Sequence, residues 1–176
     1  MNPNEPSKFP NSISFFTNYG KDPCDHLRLR GPMHHLGITV IDGMVEDQVH
    51  PEFVSLSDVT VLQRNFPRDL PTYEKIIQLA HQENKPVVFD IDDLLLHLPE
   101  DHPERHYVHY IDSLLPMVQA LHEADLVTTT TPLLKERLGQ INDNVIVLKN
   151  YLDDALWQLR KPVTKMDEQR PLIIGY

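Results

Sequence analysis

The sequence predicts a three-layer α/β/α domain built on a mainly parallel sheet. Short, β-branched apolar runs alternate with longer segments of helical periodicity, and most of the 15 prolines fall between these segments. Continuously apolar strands are typical of a parallel sheet that is covered on both faces. Strands that alternate with helices favour right-handed crossover connections within such a sheet.

Six segments have the composition of buried strands. They are Ile13–Thr17, Ile38–Ile41, Val59–Gln63, Pro86–Ile91, Leu126–Thr130 and Val145–Leu148. We expect a sheet of six or more strands, mostly parallel, which is the Rossmann-like arrangement.

Helices are predicted between these strands. Arg28–Pro32 is expected to open the first, and three longer ones follow at Leu70–Glu83, Tyr107–Glu123 and Pro132–Ile141. Thr131 is placed to cap the last of them, with Pro132 in its first turn. In the segment Tyr107–Glu123, Pro116 is expected to kink the helix or restart it, and apolar residues recur at helical spacing at Ile111, Leu114, Leu115, Val118 and Leu121.

Length and charge limit the class of protein. A chain of 176 residues suits one domain, and a net charge of -10 argues against nucleic acid as a partner. The single cysteine, Cys24, excludes an internal disulfide and lies in a polar segment without an evident catalytic base. No apolar run is long enough to span a bilayer and no signal peptide is evident, so we expect a cytoplasmic protein, with the inner face of the membrane as an alternative location.

The chain divides into three parts by composition. Residues 1–11 are polar and are expected to form a flexible arm, and residues 12–159 form the α/β domain. Residues 160–176 are interpreted as a charged linker followed by the first strand of a second domain that is missing from this sequence.

The acidic end of the fourth strand is the most informative segment for chemistry. Asp90, Asp92 and Asp93 follow Pro86–Phe89, and ligands of open parallel sheets bind outside the carboxyl ends of strands. Crowded carboxylates suit a general base or an oxygen-ligand metal site, whereas capping of the next turn is the structural alternative. Because side chains alternate along a strand, Asp92 is expected to be the acid most directly involved, and Asp93 to bond the following backbone.

Several segments resemble the N-terminal domains of bacterial GT-B glycosyltransferases of the large retaining group called family four. The resemblance is carried by Asp90–Leu94 with Leu98–Pro99 and His102–Pro103, by Ala124–Thr131, by Asn144–Asp153 with Trp157, and by Ile174–Tyr176. Lys149 stands where that family usually has proline, and Asp92–Asp93 stand where many relatives have His-Asp.

The resemblance implies that the full-length protein transfers a sugar from a nucleotide-sugar donor to a glycan, lipid-linked or other acceptor. This domain would hold the acceptor, and the missing domain would hold the donor, with no metal or cofactor required. Asp92 and Asp93 are then the candidate catalytic residues, and Asn150 is the candidate hinge. The candidate acceptor-binding residues are Asp90, Asn18, Tyr19, Gly20, Arg28 and Arg30.

Arg28 and Arg30 are expected to face the cleft at the start of the first helix and to bind an anionic group there, since helix N-termini favour anions. The alternative is that both arginines are simply exposed to solvent.

Two other functions remain open at this point. A haloacid-dehalogenase-like phosphatase would use Asp90 and Asp92 as its Asp-x-Asp motif, and a non-catalytic glycan-binding module would use the same domain without turnover. A zinc site at His97, His102, His106 and His109 is weighed against solvated loop histidines. The latter are favoured because no cysteine joins them and prolines interrupt the segment.

Overall fold

The computed structural model describes residues 10–17, 23–64, 66 and 70–151. Eight strands are present in this part of the chain: β1 Ser12–Phe16, β2 Thr39–Asp42, β3 Met44–Val45, β4 Gln48–Val49, β5 Val59–Gln63, β6 Val87–Asp90, β7 Leu126–Thr129 and β8 Val145–Val147. Six of them form one all-parallel sheet in the order β2-β1-β5-β6-β7-β8. These are the six strands that the sequence predicts, and the parallel α/β class is confirmed.

The remaining two strands, β3 and β4, pair as an antiparallel hairpin that the sequence analysis did not predict. Its turn has positive φ at both Glu46 (49°) and Asp47 (62°), as two-residue hairpin turns of type I′ require. Glu-Asp is not the Asn-Gly or Asp-Gly pair by which such turns are usually found, so the local signal for this hairpin was weak.

The helices are α1 Pro23–Asp25, α2 Gly31–His35, α3 Leu70–Gln82, α4 Val108–Glu123 and α5 Pro132–Leu138. A π-helical turn, His26–Arg30, joins α1 to α2 in one continuous run, and short 3-10 helices occur at Pro51–Leu56, Leu95–His97 and Pro103–His106. The first helical run therefore begins at Pro23 among the described residues, and the expectation that Arg28 opens it is wrong. The cap of α5 is confirmed, because Thr131 Oγ1 accepts a hydrogen bond from the Leu134 amide at 3.2 Å.

Two apolar layers hold the helices against the sheet. On one face, Phe16, Leu62 and Phe89 belong to a core shared with residues of α3 and α4, including Tyr73 and Met117. On the other face, strand residues pack against the helical run Pro23–His35, as in the cluster of Ile13, Phe15, Val61 and Leu29. The alternation of side chains along each strand separates these two sets and produces the three-layer arrangement.

Helix α4 buries only part of the apolar set that helical spacing groups together. Leu121 is buried and Leu114 packs against the core, whereas Ile111, Leu115 and Val118 are exposed. The helix is apolar on more than one side, so periodicity alone does not identify the buried side. Pro116 lies inside a single helix and does not restart it.

The strand order places a topological switch point between β1 and β5. From β1 the chain crosses to β2 on one side, and it then returns to β5 on the other side of β1. In doubly wound sheets of this kind, the crevice for ligands opens outside the carboxyl ends of the two strands at the switch point. No described helix is long and apolar enough to cross a membrane.

Candidate functional site at the carboxyl edge of the sheet

Asp90 lies at the end of β6 and is 1% exposed. Arg28 reaches both of its carboxylate oxygens, with Nη2 at 2.5 Å from Oδ1 and Nε at 2.8 Å from Oδ2. Thr128 Oγ1 donates to Oδ1 at 2.5 Å, and Gln63 Nε2 donates to Oδ2 at 3.1 Å. Three side chains thus surround this carboxylate, in the manner of a buried acid that is fully hydrogen-bonded.

Strand register brings these partners together. Gln63 in β5 and Thr128 in β7 are each the neighbour of Asp90 across the sheet. Neighbouring residues in register point to the same face, and this face is covered by the helical run that carries Arg28. Four buried polar side chains, those of Arg28, Gln63, Asp90 and Thr128, therefore meet in one layer beneath the edge where strands β5, β6 and β7 end.

Arg28 extends the same network to the residues that follow β8, the edge strand. Its Nη1 donates to the Leu148 carbonyl at 3.0 Å and to Asn150 Oδ1 at 2.8 Å. Burial alone lowers the pKa of the Arg28 guanidinium, but the hydrogen bond and charge of Asp90, with smaller contributions from Asp92 and Cys24, raise that pKa above its ordinary value. Arg28 is thus a permanent cation whose donors are directed to groups of the protein itself.

Asp92 and Asp93 form an outer layer together with Arg64, the residue that follows β5. Arg64 Nε lies 3.1 Å from Asp92 Oδ1, and Arg64 Nη2 lies 3.2 Å from Asp93 Oδ2. Asp92 is 8% exposed, whereas the side chain of Asp93 is 64% exposed. The two acids therefore share one arginine but differ in their access to solvent.

The backbone around this outer layer is held in place at two points. Arg64 has φ of 49°, which is unusual for a residue other than glycine, and its amide donates to the Asp90 carbonyl at 2.7 Å. Thr130 Oγ1 donates to the Asp92 carbonyl at 2.9 Å. Left-handed backbone of this kind is found often at functional sites, where the surrounding contacts maintain it.

Asp92 has hydrogen-bonding capacity left over. Its Oδ1 has no hydrogen-bond donor aligned with it among the described residues, although Arg64 Nε is close enough to form an ion pair. A buried carboxylate oxygen usually has such a donor. This oxygen is itself buried, so a ligand could reach it only if the side chains around it moved.

Arg30, the other predicted anion-binding residue, lies away from this layer. Its Nη2 forms an ion pair with Asp42 at the end of β2, and its Nε is 4.0 Å from Asp25 Oδ2. The guanidinium also lies 5.2 Å from the centre of the Phe15 ring. Like Arg28, Arg30 is directed to acidic groups of the protein.

Three predicted acceptor-binding residues, Asn18, Tyr19 and Gly20, lie outside the described residues, as do residues 160–176. Asn18, Tyr19 and Gly20 follow Thr17 directly. Thr17 belongs to the buried layer, because its Oγ1 donates a hydrogen bond to Asp25 Oδ1 at 3.1 Å. Asn150, the predicted hinge residue, accepts a hydrogen bond from Arg28 at its side-chain oxygen.

Sequence reasoning missed Arg64, Gln63 and Thr128. The signal for the first two was present, since Gln63–Arg64 are polar residues at the end of a buried strand, in the same position relative to β5 as Asp90 is to β6. Thr128 lies inside its strand and was treated as ordinary strand composition, and only the register with Asp90 reveals its role.

The described histidines do not gather into a metal site. Among the described residues, no group of three or more His, Cys, Asp or Glu side chains is arranged to hold a metal ion. His102 has a local role instead, since its Nδ1 accepts a hydrogen bond from the Glu104 amide at the start of the 3-10 helix.

Two shallow depressions lie elsewhere on the surface. One includes Lys85, Pro86 and Asp125, at the opposite end of the strands from the acidic residues, and the other lies between α3 and α4 near Ile77 and Gln119. Neither contains the side chains of Arg64, Asp92 or Asp93.

Fold and edge together define a Rossmann-like α/β domain with a buried ionic network beneath an acidic carboxyl edge of the sheet. No protein-family profile and no curated protein matches the chain. The assignment of function therefore depends on the sequence resemblance and on the geometry of the edge.

Proposed function

We propose that this chain is the acceptor-side, N-terminal half of a GT-B glycosyltransferase of the retaining, family-four-like group. The observation that carries the proposal is the position of Asp92, two residues beyond the end of β6, where it pairs with Arg64 next to the switch point between β1 and β5. Ligands of doubly wound sheets bind at this point of the fold. The proposal also depends on the order of the resembling segments along the chain.

In this proposal Asp92 accepts a hydrogen bond from the acceptor hydroxyl and orients it toward the donor sugar. Arg64 and Asp93 hold that carboxylate and the crevice wall in position, while Asp90 and Arg28 form the rigid base beneath them. The nucleotide-sugar donor is bound by a second domain, where helix N-termini and basic side chains stabilise the leaving diphosphate without a metal.

Burial of Asp90 argues against the phosphatase alternative. An Asp-x-Asp phosphatase needs its first aspartate free to attack phosphorus, whereas Asp90 is 1% exposed and both of its oxygens accept hydrogen bonds from Arg28, Thr128 or Gln63. An attack by this carboxylate would require the network to be dismantled first. The second alternative, a non-catalytic glycan-binding module, would use the same edge of the sheet. It differs from the transferase only in that the bound glycan is not turned over.

Calorimetric titration with nucleotide sugars tests the assignment of this chain to the acceptor side. We expect the 176-residue chain to bind UDP-glucose and GDP-mannose weakly or not at all, because the proposal assigns the donor site to another domain. A micromolar dissociation constant, which corresponds to roughly -8 kcal/mol, would contradict the proposal and move the donor site to this domain.

Substitution of the two outer acids tests the role of Asp92 in the complete transferase. We expect Asp92→Asn to fold normally by circular dichroism and to lower the turnover number by roughly 10²- to 10⁴-fold. Asp93→Asn is the matched control and is expected to have the smaller effect, since Asp93 is far more exposed. Near-native turnover and acceptor affinity in Asp92→Asn would show that the acidic cluster is structural.

A further inference from the structure

Helix α4 has a continuous apolar strip on its solvent side. Val108, Ile111, Leu115 and Val118, here called the α4 strip, are between 43% and 71% exposed. Other residues of the same helix, Tyr110, Met117, Ala120 and Leu121, are buried in the core. Core packing therefore does not account for the apolar residues of the strip.

The area of the strip is that of the largest apolar patch on a typical monomer, and such patches are often functional. With Tyr107, which is also exposed, the strip presents on the order of 500 Å² of mostly apolar surface, near the upper end of what a monomer usually exposes. Burial of this surface in two copies would remove roughly 1,000 Å² from water, which reaches the lower limit of a specific protein interface.

The spacing of the strip is self-complementary. Its residues are separated by three, four and three positions, and this spacing reads the same in both directions along the helix. Two antiparallel copies can therefore place Val108 against Val118 of the second copy, and Ile111 against Leu115 of the second copy, so that every strip residue has an apolar partner. A surface that matches itself is what a two-fold symmetric interface requires.

Charge argues against a membrane as the occupant. The segment Val108–Glu123 contains neither Lys nor Arg, and the whole chain has a net charge of -10. Helices that lie on anionic membranes usually have basic residues beside their apolar face. We propose that the α4 strip is a self-association surface on which α4 of a second copy packs antiparallel across a two-fold axis.

This interface is independent of the proposed sugar transfer. The four strip residues contain no charged group, whereas each copy has the same net negative charge. Salt screens repulsion between the copies without weakening the apolar contact. Self-association is therefore expected to become stronger as ionic strength rises, which is opposite to the behaviour of an interface held by ion pairs.

Sedimentation equilibrium of the 176-residue chain over a concentration series tests the interface. We expect a monomer–dimer equilibrium, and we expect Leu115→Glu to raise its dissociation constant by about a hundredfold or more, because a carboxylate would be buried without a partner. Leu36→Glu is the matched control, since Leu36 is 65% exposed, Leu115 is 64% exposed and Leu36 lies outside α4.

Three results would overturn the inference. The first is a wild-type chain that stays monomeric at every concentration and salt level. The second is a dimer dissociation constant that Leu36→Glu and Leu115→Glu raise equally. The third is a monomeric chain that binds phosphatidylcholine vesicles and loses this binding in Leu115→Glu. Both glutamates replace exposed side chains, so circular dichroism is expected to show a native fold in each variant.

Discussion

At the scale of single residues, neighbouring aspartates have acquired different roles. Asp90 accepts hydrogen bonds from three side chains beneath the surface, whereas Asp92 and Asp93 share Arg64 at the crevice. Asp92 lies two residues beyond the end of β6, after the last backbone hydrogen bond to β7 at the Ile91 amide. The role of each aspartate therefore depends on how far its side chain is buried and on which side chains contact it.

Removal of the buried charge tests the structural role of Asp90. We expect Asp90→Asn to lower the free energy of unfolding by about 3 kcal/mol or more, because Arg28 would remain buried without its counter-charge. Urea denaturation measures this difference.

Asp93→Asn is the control for that measurement. The Asp93 side chain is 64% exposed and its ion pair with Arg64 is screened by solvent, so its loss is expected to change stability by less than about 1 kcal/mol. Equal urea midpoints for the two variants would show that the Arg28–Asp90 pair does not stabilise the fold.

At the scale of elements, α3 and α4 are joined by a buried polar contact as well as by apolar packing. Tyr73 in α3 is fully buried, and its hydroxyl donates to Glu123 Oε2 at the end of α4, at 2.9 Å. Burial raises the pKa of the Tyr73 phenol above its ordinary value, and the hydrogen bond to Glu123 and the charge of Glu123 add to this effect.

This contact predicts a loss of stability in alkali. A group whose pKa is raised in the folded state stabilises that state fully below its unfolded pKa, here about 10, and the contribution is lost as pH rises toward the folded pKa. We expect the stability of the wild type to decline above about pH 10, and Tyr73→Phe to remove part of that decline.

The measurement is urea denaturation between neutral and alkaline pH. Tyr151→Phe is the control, because Tyr151 is exposed and lies outside the helices. An unchanged alkaline slope in Tyr73→Phe would show that the phenol does not link α3 to α4 in this way.

At the scale of the whole molecule, acid acts in two ways. Protonation of carboxylates first cancels the net charge of -10 and, below the isoelectric point near 5.3, gives the chain a growing positive charge that repels itself. It also weakens the hydrogen bonds that ionised carboxylates accept. Asp58 is such a carboxylate. Its Oδ2 accepts hydrogen bonds from the amides of Asn11 and Ser12, which hold the start of β1 beside the start of β5.

Those two backbone amides lower the pKa of Asp58 below its ordinary value. A lowered folded pKa gives stability that is present above the unfolded pKa, about 3.9, and that is lost as pH falls through the folded value. We expect thermal melting between pH 5 and about pH 2 to show a steeper loss of stability in the wild type than in Asp58→Asn.

The control for the acid series is Asp143→Asn, at an exposed position in the loop before β8. It is expected to keep the acid slope of the wild type. The same slope in Asp58→Asn would instead assign the acid effect to the general charge of the molecule.

Local chemistry in the sequence was sufficient to predict the layers of this protein. Six β-branched runs became the six parallel strands, and Thr131 caps α5 as its position before Pro132 indicated. Such features depend on residues that are close in sequence, on strand composition and on the hydrogen-bonding needs of a helix start. The acidic residues were also correctly expected to follow a strand end, because an apolar run ran directly into them.

Tertiary contacts decided which partners each acid has and which face of α4 meets the core. Arg28 is 62 positions from Asp90 in the sequence, and the residues next to either of them do not predict that the two form a pair. In α4 both sides are apolar, so its buried side depends on how the helix is seated on the sheet. Periodicity reports which residues share a face, whereas the choice among faces is made by the elements that pack against it.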